Sequence, residues 1–225
     1  MTPRWQPSAN FGERRDGAVP KLVVLHYTAM ADADAALRVL CDPDSQVSAH
    51  YLIAPDGQIL HLVEESKRAW HAGAGRWGGC EDVNSNSIGI ELSNDGFSPF
   101  SAPQMDALEG LLSGILARWD ISASGVIGHS DMAPGRKIDP GSRFDWRRLA
   151  RQGLSIWPDS DPTRGLDALE FKRDLQQFGY TAEVADEVLL DAFRLRFDPV
   201  QTGPLTQKDC ALAHALAVST RHNPN

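Results

Sequence analysis

The sequence predicts an α/β domain with a central mixed β-sheet flanked by helices, followed by a small C-terminal all-α domain of three helices. Along residues 21–130, short runs of β-branched and aliphatic residues alternate with segments of helical periodicity. Strands interleaved with helices are typical of a single sheet covered on its faces by helices. Beyond residue 165, the apolar residues recur only at helical spacing.

The strands of the first domain are recognised by their length and composition. KLVVLHY at 21–27 and NSIGIELS at 86–93 are apolar runs of the length expected for buried strands. GVIGHS at 125–130 is predicted to be another strand. AHYLIAPDGQILHLV at 49–63 contains two strand-like runs around a PDG turn at 55–57, and this pattern predicts a β-hairpin.

Two helices are predicted within the same domain. DADAALRVLCD at 32–42 has a helical rhythm, with Ala36, Leu37, Leu40 and Cys41 on one face. QMDALEGLLSGILARWD at 104–120 follows Pro103, a residue favoured in the first turn of a helix. Its apolar side consists of Met105, Leu108, Leu111, Leu112, Ile115 and Trp119. We expect this first domain to span residues 1–154.

A linker and a helical bundle are predicted to follow. SIWPDSDPTRG at 155–165 combines prolines, a glycine and polar residues. Residues 166–225 contain three helical segments, near 166–178, 182–196 and 205–220. Thr181 and Thr206 are the expected N-caps of the second and third segments, with Asp209 three positions after Thr206. The expected inward residues are Leu166, Phe171, Leu175, Phe178, Val184, Val188, Leu189, Phe193, Leu212 and Leu216.

Composition and charge argue against two kinds of partner. The chain carries a net charge of −8 and no basic run, so nucleic acid is not an expected partner, because phosphate neutralisation needs clustered Lys and Arg. The sequence contains no run of about 18 apolar residues, so no membrane span is predicted.

The N-terminal segment has no apolar signal region, and the three widely spaced cysteines form no CxxC pair. We therefore expect a cytoplasmic location, with the periplasm as the alternative if the natural chain carries a leader.

A histidine followed by a loop rich in Pro and Gly stands at the end of the last predicted strand. VIGHSDMAPGRKIDPG at 126–141 contains His129, Lys137 and Asp139, and His26 lies at the end of the first strand. Strand ends are where sites form in open α/β sheets. Two imidazoles and one carboxylate make a three-ligand zinc set that leaves a fourth position for water. The alternative for each histidine is an ordinary hydrogen-bonded residue.

Glu91 and Lys137 complete the candidate catalytic set. Glu91 lies in an apolar strand between Ile90 and Leu92, where it either points outward by alternation or acts as a buried general base with a raised pKa. Lys137 is either a solvated charge or, beside a metal, a group that stabilises the oxyanion formed when water attacks a carbonyl. Together these residues indicate metal-assisted hydrolysis of an amide or ester, with Zn²⁺ as the cofactor.

Further residues are candidates for substrate contact. Trp70 and His71 lie in a loop close to glycines, where they either hold a sugar ring or peptide against an aromatic face or simply pack. His50 opens a strand and can orient a catalytic group. His61 alternates with apolar neighbours and is expected to be structural. Arg68, with Trp70, His71 and His50, completes the set of candidate substrate-binding residues.

Five stretches in this order resemble the zinc-dependent N-acetylmuramoyl-L-alanine amidases, the type-2 amidases that include the anhydromuropeptide amidases: VVLHYTA, SAHYLIAPDGQI, RAWHAG, NSIGIELSN and VIGHSDMAPGRKIDPG. They cover roughly residues 10–150. The resemblance implies cleavage of the amide between the lactyl group of N-acetylmuramic acid and the L-alanine of the stem peptide. It implies peptidoglycan fragments, muropeptides and anhydromuropeptides, as partners. It also implies zinc ligation by His26, His129 and Asp139, with Glu91 and Lys137 serving catalysis.

Two alternatives to this function remain open. FKRDLQQFGY at 171–180 resembles a peptidoglycan-binding three-helix domain, but these helices can also serve only to stabilise the first domain. The other alternative is a non-catalytic peptidoglycan receptor on the same scaffold. A receptor would usually have lost a ligand or the general base, and all of the expected catalytic and ligand residues are present here. The sequence therefore favours the enzyme.

Overall fold

The computed structural model of the chain describes residues 2–159 and 165–221. Within these residues the strands are β1 Arg4–Trp5, β2 Phe11–Gly12, β3 Leu22–Tyr27, β4 Tyr51–Ile53, β5 Ile59–His61, β6 Arg68–Ala69, β7 Ser87–Leu92 and β8 Val126–Gly128. The main sheet has six of them in the order β1-β5-β4-β7-β3-β8, and β2 pairs with β6 in a separate ribbon. The helices are α1 Ala33–Cys41, α2 Val83–Asn86, α3 Ala102–Trp119, α4 His129–Met132, α5 Trp146–Arg151, α6 Ala168–Phe178, α7 Asp186–Phe197 and α8 Gln207–Arg221.

The main sheet is mixed, as the sequence predicts. β3 runs parallel to both of its neighbours, β7 and β8, and β4 runs parallel to β7. β4 and β5 form the predicted antiparallel hairpin. The register pairs His26 with Glu91 and Leu25 with Gly128. Three chain segments that carry candidate site residues therefore end at the same edge of the sheet.

Alternation along β3 divides the core into two layers. Val23 and Leu25 face a cluster that contains Leu108 and Leu112 of α3. Val24 faces the opposite side, where it joins a cluster that includes Phe193 of the C-terminal helices. A buried strand needs apolar residues on both faces, because neither face meets water. The C-terminal helices thus cover one face of the sheet directly.

The segment predicted as a linker contributes to the packing where it is described. Ser155 is buried, and Trp157 packs against both of the apolar clusters. Residues 160–164 of the predicted linker lie outside the described residues. None of the helices within the described ranges is long and apolar enough to cross a bilayer.

Three local predictions were wrong. The second C-terminal helix begins at Asp186 after Ala185, and Thr181 is not its N-cap; the Thr181 hydroxyl instead accepts a hydrogen bond from the amide of Gly79. Leu166 is 57% exposed and so does not face the bundle interior. β8 ends at Gly128, where the predicted strand was expected to continue to residue 130.

The end of β8 and the start of α8 both show how a side chain can fix a helix N-terminus. Asp131 accepts a hydrogen bond from the amide of Gly128 at 2.7 Å, and His129 therefore opens α4. At α8, the amide of Asp209 donates to the Thr206 hydroxyl, and the Asp209 carboxylate accepts from the Thr206 amide at 2.8 Å. The prediction of a capping pair at Thr206 is confirmed.

Candidate metal centre and active site

Three candidate metal ligands meet at the edge of the sheet where β3 ends and α4 begins. Nδ1 of His26 lies 2.9 Å from Nδ1 of His129. Oδ2 of Asp139 lies 2.9 Å from the first of these nitrogens and 3.0 Å from the second. All three residues are buried. The structure therefore brings the predicted ligand set to a single point, and the cluster can hold a metal ion.

Hydrogen bonding on the outer side of His129 fixes which of its nitrogens carries the proton. Nε2 of His129 lies 2.8 Å from the carbonyl oxygen of Ala72, so this nitrogen donates. In the neutral imidazole, Nδ1 then carries no proton, and its lone pair is directed at the carboxylate of Asp139. Two lone-pair atoms at this distance in a buried site repel unless a cation lies between them. The donor set therefore fits a bound cation.

A chain of polar groups fixes His26 in the same way. The Ser87 hydroxyl donates to the carbonyl of Val83 at 2.6 Å, so it accepts from Nε2 of His71 at 3.2 Å. Nδ1 of His71 is then the acceptor for Nε2 of His26, at 3.0 Å. This leaves Nδ1 of His26 bare and facing the cluster. A partner on the outer nitrogen orients a ligand imidazole and sets its tautomer.

The ionisation states also suit metal binding. Burial, with His129 as a smaller cause, lowers the pKa of His26 to about 4. Burial alone would raise the pKa of Asp139, but the neighbouring His129 and His26 imidazoles outweigh this effect and hold that pKa well below its usual range. At neutral pH the site therefore presents a neutral His26 imidazole and an ionised carboxylate, the forms in which these groups bind metals.

Glu91 lies beside this cluster. It is the register partner of His26 on the adjacent parallel strand, so the two side chains leave the same face of the sheet. Its Oε2 atom is buried and has no hydrogen-bond partner among the described residues. Burial, with Asp139 as a second cause, raises the pKa of Glu91 to about 8, while Lys137 opposes the rise. The outward orientation considered for Glu91 is therefore not the one found.

An open cavity of about 520 Å³ leads to the cluster. Lys137 lines it together with Glu91, so both candidate catalytic groups reach the space next to the ligands. Trp70 and His71 also line it, as expected for substrate contact. The remaining lining residues are His26, Tyr27, Thr28, Ala29, Met30, Ala36, Val39, Leu40, Val47, Ser48, His129, Arg136, Ile138 and Asp139.

Two of the candidate substrate-binding residues lie elsewhere. The guanidinium of Arg68 bonds to Asp82 at 3.0 Å and to the Ser85 hydroxyl at 3.1 Å, and Arg68 is not among the described residues that line the cavity. His50 is fully buried behind the site, where its Nδ1 accepts from the amide of Gly89 at 2.9 Å. Burial lowers the pKa of His50 to about 3, so it stays neutral. These contacts hold both residues in the framework around the cavity, outside its lining.

Sequence reasoning missed two residues around the metal ligands. Arg136 lines the cavity, and its guanidinium donates to the carbonyl of Ala72 at 2.7 Å, the same carbonyl that accepts from His129. Asp131 lies two positions after His129 and fixes the start of α4. An acidic residue at the third position of a helix is a recognisable capping signal. Asp131 could have been recognised in this way only if a helix had been predicted after Gly128, where a strand was expected instead.

Buried imidazole and carboxylate ligands beside a buried carboxyl group, at the floor of an open cavity, are the features of a metal-dependent hydrolase. The sequence model of the N-acetylmuramoyl-L-alanine amidase family matches residues 16–142, more than half of the chain. The chain belongs to this family. The predicted class of enzyme, an amidase that cleaves the linear amide bond between a muramic acid and L-alanine, is confirmed.

Relatives of known sequence and structure agree with this assignment. The chain is 36% identical to the N-acetylmuramoyl-L-alanine amidase AmiD of Escherichia coli K12, over 87% of this chain and 82% of AmiD. It is 35% identical to the 1,6-anhydro-N-acetylmuramyl-L-alanine amidase AmpD of Enterobacter cloacae, over 65% of this chain and 87% of AmpD. The fold resembles the solved structure of E. coli AmiD in complex with the substrate anhydro-N-acetylmuramic acid-L-Ala-D-gamma-Glu-L-Lys. The TM-score is 0.82 at 34% identity, and the match covers 93% of this chain and 98% of the AmiD chain in that structure.

Gly89 tests how His71 supports the metal centre. A Cβ atom at position 89 would lie 2.4 Å from Cγ of His71, so Gly89→Ala should displace the imidazole that orients His26. Loss of such support typically weakens metal affinity about 10–100-fold. The affinity is measured by competition for zinc with a chromogenic chelator.

Gly110→Ala is the matched control, because it adds the same methyl group on α3 with no atom within 4 Å. It should leave the affinity unchanged and stabilise the helix by about 0.5–1 kcal/mol. A folded Gly89→Ala protein that binds zinc like the unmodified protein would refute this role of His71.

Proposed function

We propose that this chain is a zinc-dependent amidase that acts on peptidoglycan fragments, muropeptides and anhydromuropeptides, in cell-wall recycling or turnover. The observation that carries the proposal is the meeting of His26, His129 and Asp139 at 2.9–3.0 Å beside Glu91, at the floor of one cavity. A relative that covers almost the whole chain is known in complex with an anhydromuropeptide, which supports this class of substrate.

The choice of zinc rests on the donor atoms. Two imidazole nitrogens and one carboxylate oxygen form a three-ligand set that suits zinc, whereas magnesium and calcium prefer sites made of oxygen alone. A tetrahedral zinc site with bonds of about 2.0 Å separates its ligand atoms by roughly 3.3 Å. The observed separations of 2.9–3.0 Å are close to this value. When bound, zinc polarises a carbonyl and lowers the pKa of a water molecule to about 7.

Glu91 is the group that moves the proton. A carboxyl group works best as an acid and base when its pKa lies near the working pH, and burial raises that of Glu91 to about 8. Its Oε2 atom makes no hydrogen bond to the described residues, so the ionised form of Glu91, whose share grows as the pH rises toward 8, can accept a proton from the attacking water. Glu91 then returns that proton to the alanine nitrogen that leaves.

Lys137 stabilises the negative charge that develops during attack. Its side chain lines the same cavity as Glu91, and no hydrogen bond or ion pair to it is found within the described ranges. A free ammonium group beside the reacting carbonyl donates to the oxygen that becomes an oxyanion. Trp70 lines the cavity as well, and its ring offers an apolar face for the sugar or the peptide.

We also propose a two-part organisation of the chain. The division into a catalytic region at 1–154 and a helical region at 166–225 is supported by the relatives, because AmpD matches about two thirds of the chain and AmiD most of it. A peptidoglycan-binding role for the helical region stays a prediction. So does the location of the chain in the cytoplasm or the periplasm.

The proposal is tested by metal analysis together with mass spectrometry of the products from a purified anhydromuropeptide. The unmodified protein should retain about one zinc per chain and release the intact stem peptide and the free anhydro sugar. Asp139→Ala should lose both zinc and cleavage, because the site then keeps only two ligands. Asp56→Ala removes an exposed carboxylate and should change neither. Zinc binding with no cleavage of any muropeptide would favour the receptor instead of the enzyme.

Glu91→Ala separates proton transfer from metal binding. This variant should keep its zinc, because Glu91 is not one of the three converging ligands. Its kcat should fall by about 10²–10⁴-fold, the usual contribution of general acid–base catalysis. Steady-state kinetics on the same muropeptide, with zinc content measured in parallel, provide the readout. Normal turnover by Glu91→Ala would show that another group takes the proton.

A further inference from the structure

The carboxylate of Asp131 is buried next to the metal ligands and accepts three hydrogen bonds. Oδ2 accepts from the amide of Gly128 and from Nη1 of Arg196, each at 2.7 Å. Oδ1 accepts from the hydroxyl of Tyr180 at 2.5 Å. Asp131 is 0% exposed and Arg196 is 2% exposed. Two of the three donors therefore come from the C-terminal helical region.

The short helix fixed by Asp131 positions two metal ligands. α4 contains four residues and opens with His129, so the Asp131–Gly128 bond holds the backbone that carries this imidazole. The next amide, of Ser130, donates to the carbonyl of Asp139 at 2.9 Å. A shift or rotation of α4 would therefore move His129 and the backbone of Asp139 together.

Arg196 is itself held against the strand that leads into α4. Its Nη2 atom donates to the carbonyl of Val126 in β8 at 3.1 Å and to the Ser155 hydroxyl at 3.2 Å. Its guanidinium carbon lies 4.1 Å from the centroid of the Trp146 ring. A planar guanidinium can make these bonds and stack on a ring at the same time, which a lysine cannot. Arg196 thus connects α7 rigidly to the strand and to the helix that follows it.

A second contact joins α7 to the loop that carries Lys137 and Asp139. Gly135 lies in this loop at a φ of +75°, and a Cβ atom there would lie 2.7 Å from Cγ1 of Val188. The backbone of the loop therefore packs directly on α7. Both backbone segments that carry ligands near residues 129–139 rest on the helical region.

We propose that Arg196 and Tyr180 are positioning residues of the metal centre, which act through Asp131 to hold α4 and with it His129. This inference rests on the proposed zinc site. It gives the C-terminal helices a role in the catalytic geometry that is distinct from wall binding and from general stabilisation.

The same helix provides a control for general stabilisation. Arg194 also forms a buried pair, with Asp209, in which Nη2 lies 2.6 Å from Oδ2 and the side chains are 3% and 0% exposed. Its other bonds go to the carbonyls of Gly203 and Pro204, at 2.6 and 2.9 Å. All of these partners lie in the helical region, so this pair matches Arg196–Asp131 in burial and chemistry but does not touch α4.

The experiment compares Arg196→Met, Tyr180→Phe and Arg194→Met in the full chain. Zinc affinity is measured by competition with a chelator, together with kcat and KM on an anhydromuropeptide and the thermal midpoint. Arg196→Met should weaken zinc binding by about 10–100-fold and lower kcat with little change in KM. Tyr180→Phe should change both in the same direction by less. Arg194→Met should lower the thermal midpoint and leave zinc affinity unchanged.

The outcomes separate this inference from the proposed function. Wild-type zinc affinity in folded Arg196→Met and Tyr180→Phe would overturn the positioning role and leave the zinc amidase intact. An equal loss of affinity in Arg194→Met would also overturn it, because general loosening would then explain the effect. If Arg196→Met does not fold, Tyr180→Phe decides, since it removes one hydroxyl and no charge. A wild-type chain that binds no zinc would overturn the proposed function itself.

Discussion

The central physical constraint in this protein is that three lone-pair atoms are buried facing one another at 2.9–3.0 Å. Two imidazole nitrogens and a carboxylate oxygen at this separation are unfavourable unless a cation lies among them. A partner on the outer nitrogen sets the tautomer of each imidazole: Ala72 for His129 and the His71–Ser87 chain for His26. These atoms thus form a donor set that suits a metal ion.

Both the sheet and the C-terminal helices hold the candidate ligand residues in position. Parallel pairing of β3 with β7 places Glu91 next to His26, and pairing of β3 with β8 delivers α4 to the same edge. The C-terminal helices cover the other face of the sheet and reach α4 through Arg196 and Tyr180. A ligand site formed at strand ends gains rigidity when both the strands and the segments that follow them are packed.

Much of this architecture could be predicted from the sequence, because local chemistry determines it. The apolar runs gave the strands around β3, β4, β5 and β7, and the capping pair at Thr206 gave the start of α8. The residue types suggested the candidate ligand set, and the resemblance to the amidases implied it. Thr181 could not be assigned correctly, because its hydroxyl bonds to Gly79 across the tertiary structure, about 100 residues away in sequence. The positions of Arg68 and His50 could not be predicted for the same reason, since their partners Asp82 and Gly89 are set by the fold.

X-ray absorption spectroscopy at the zinc edge of the purified protein shows directly which atoms bind the metal. A site formed by His26, His129 and Asp139 should give nitrogen and oxygen scatterers only, at about 2.0–2.1 Å, with the outer-ring scattering of two imidazoles. Replacing His26 with alanine should remove one imidazole contribution. Sulfur scattering at about 2.3 Å, or a spectrum without two imidazoles, would show that the metal is bound by other residues.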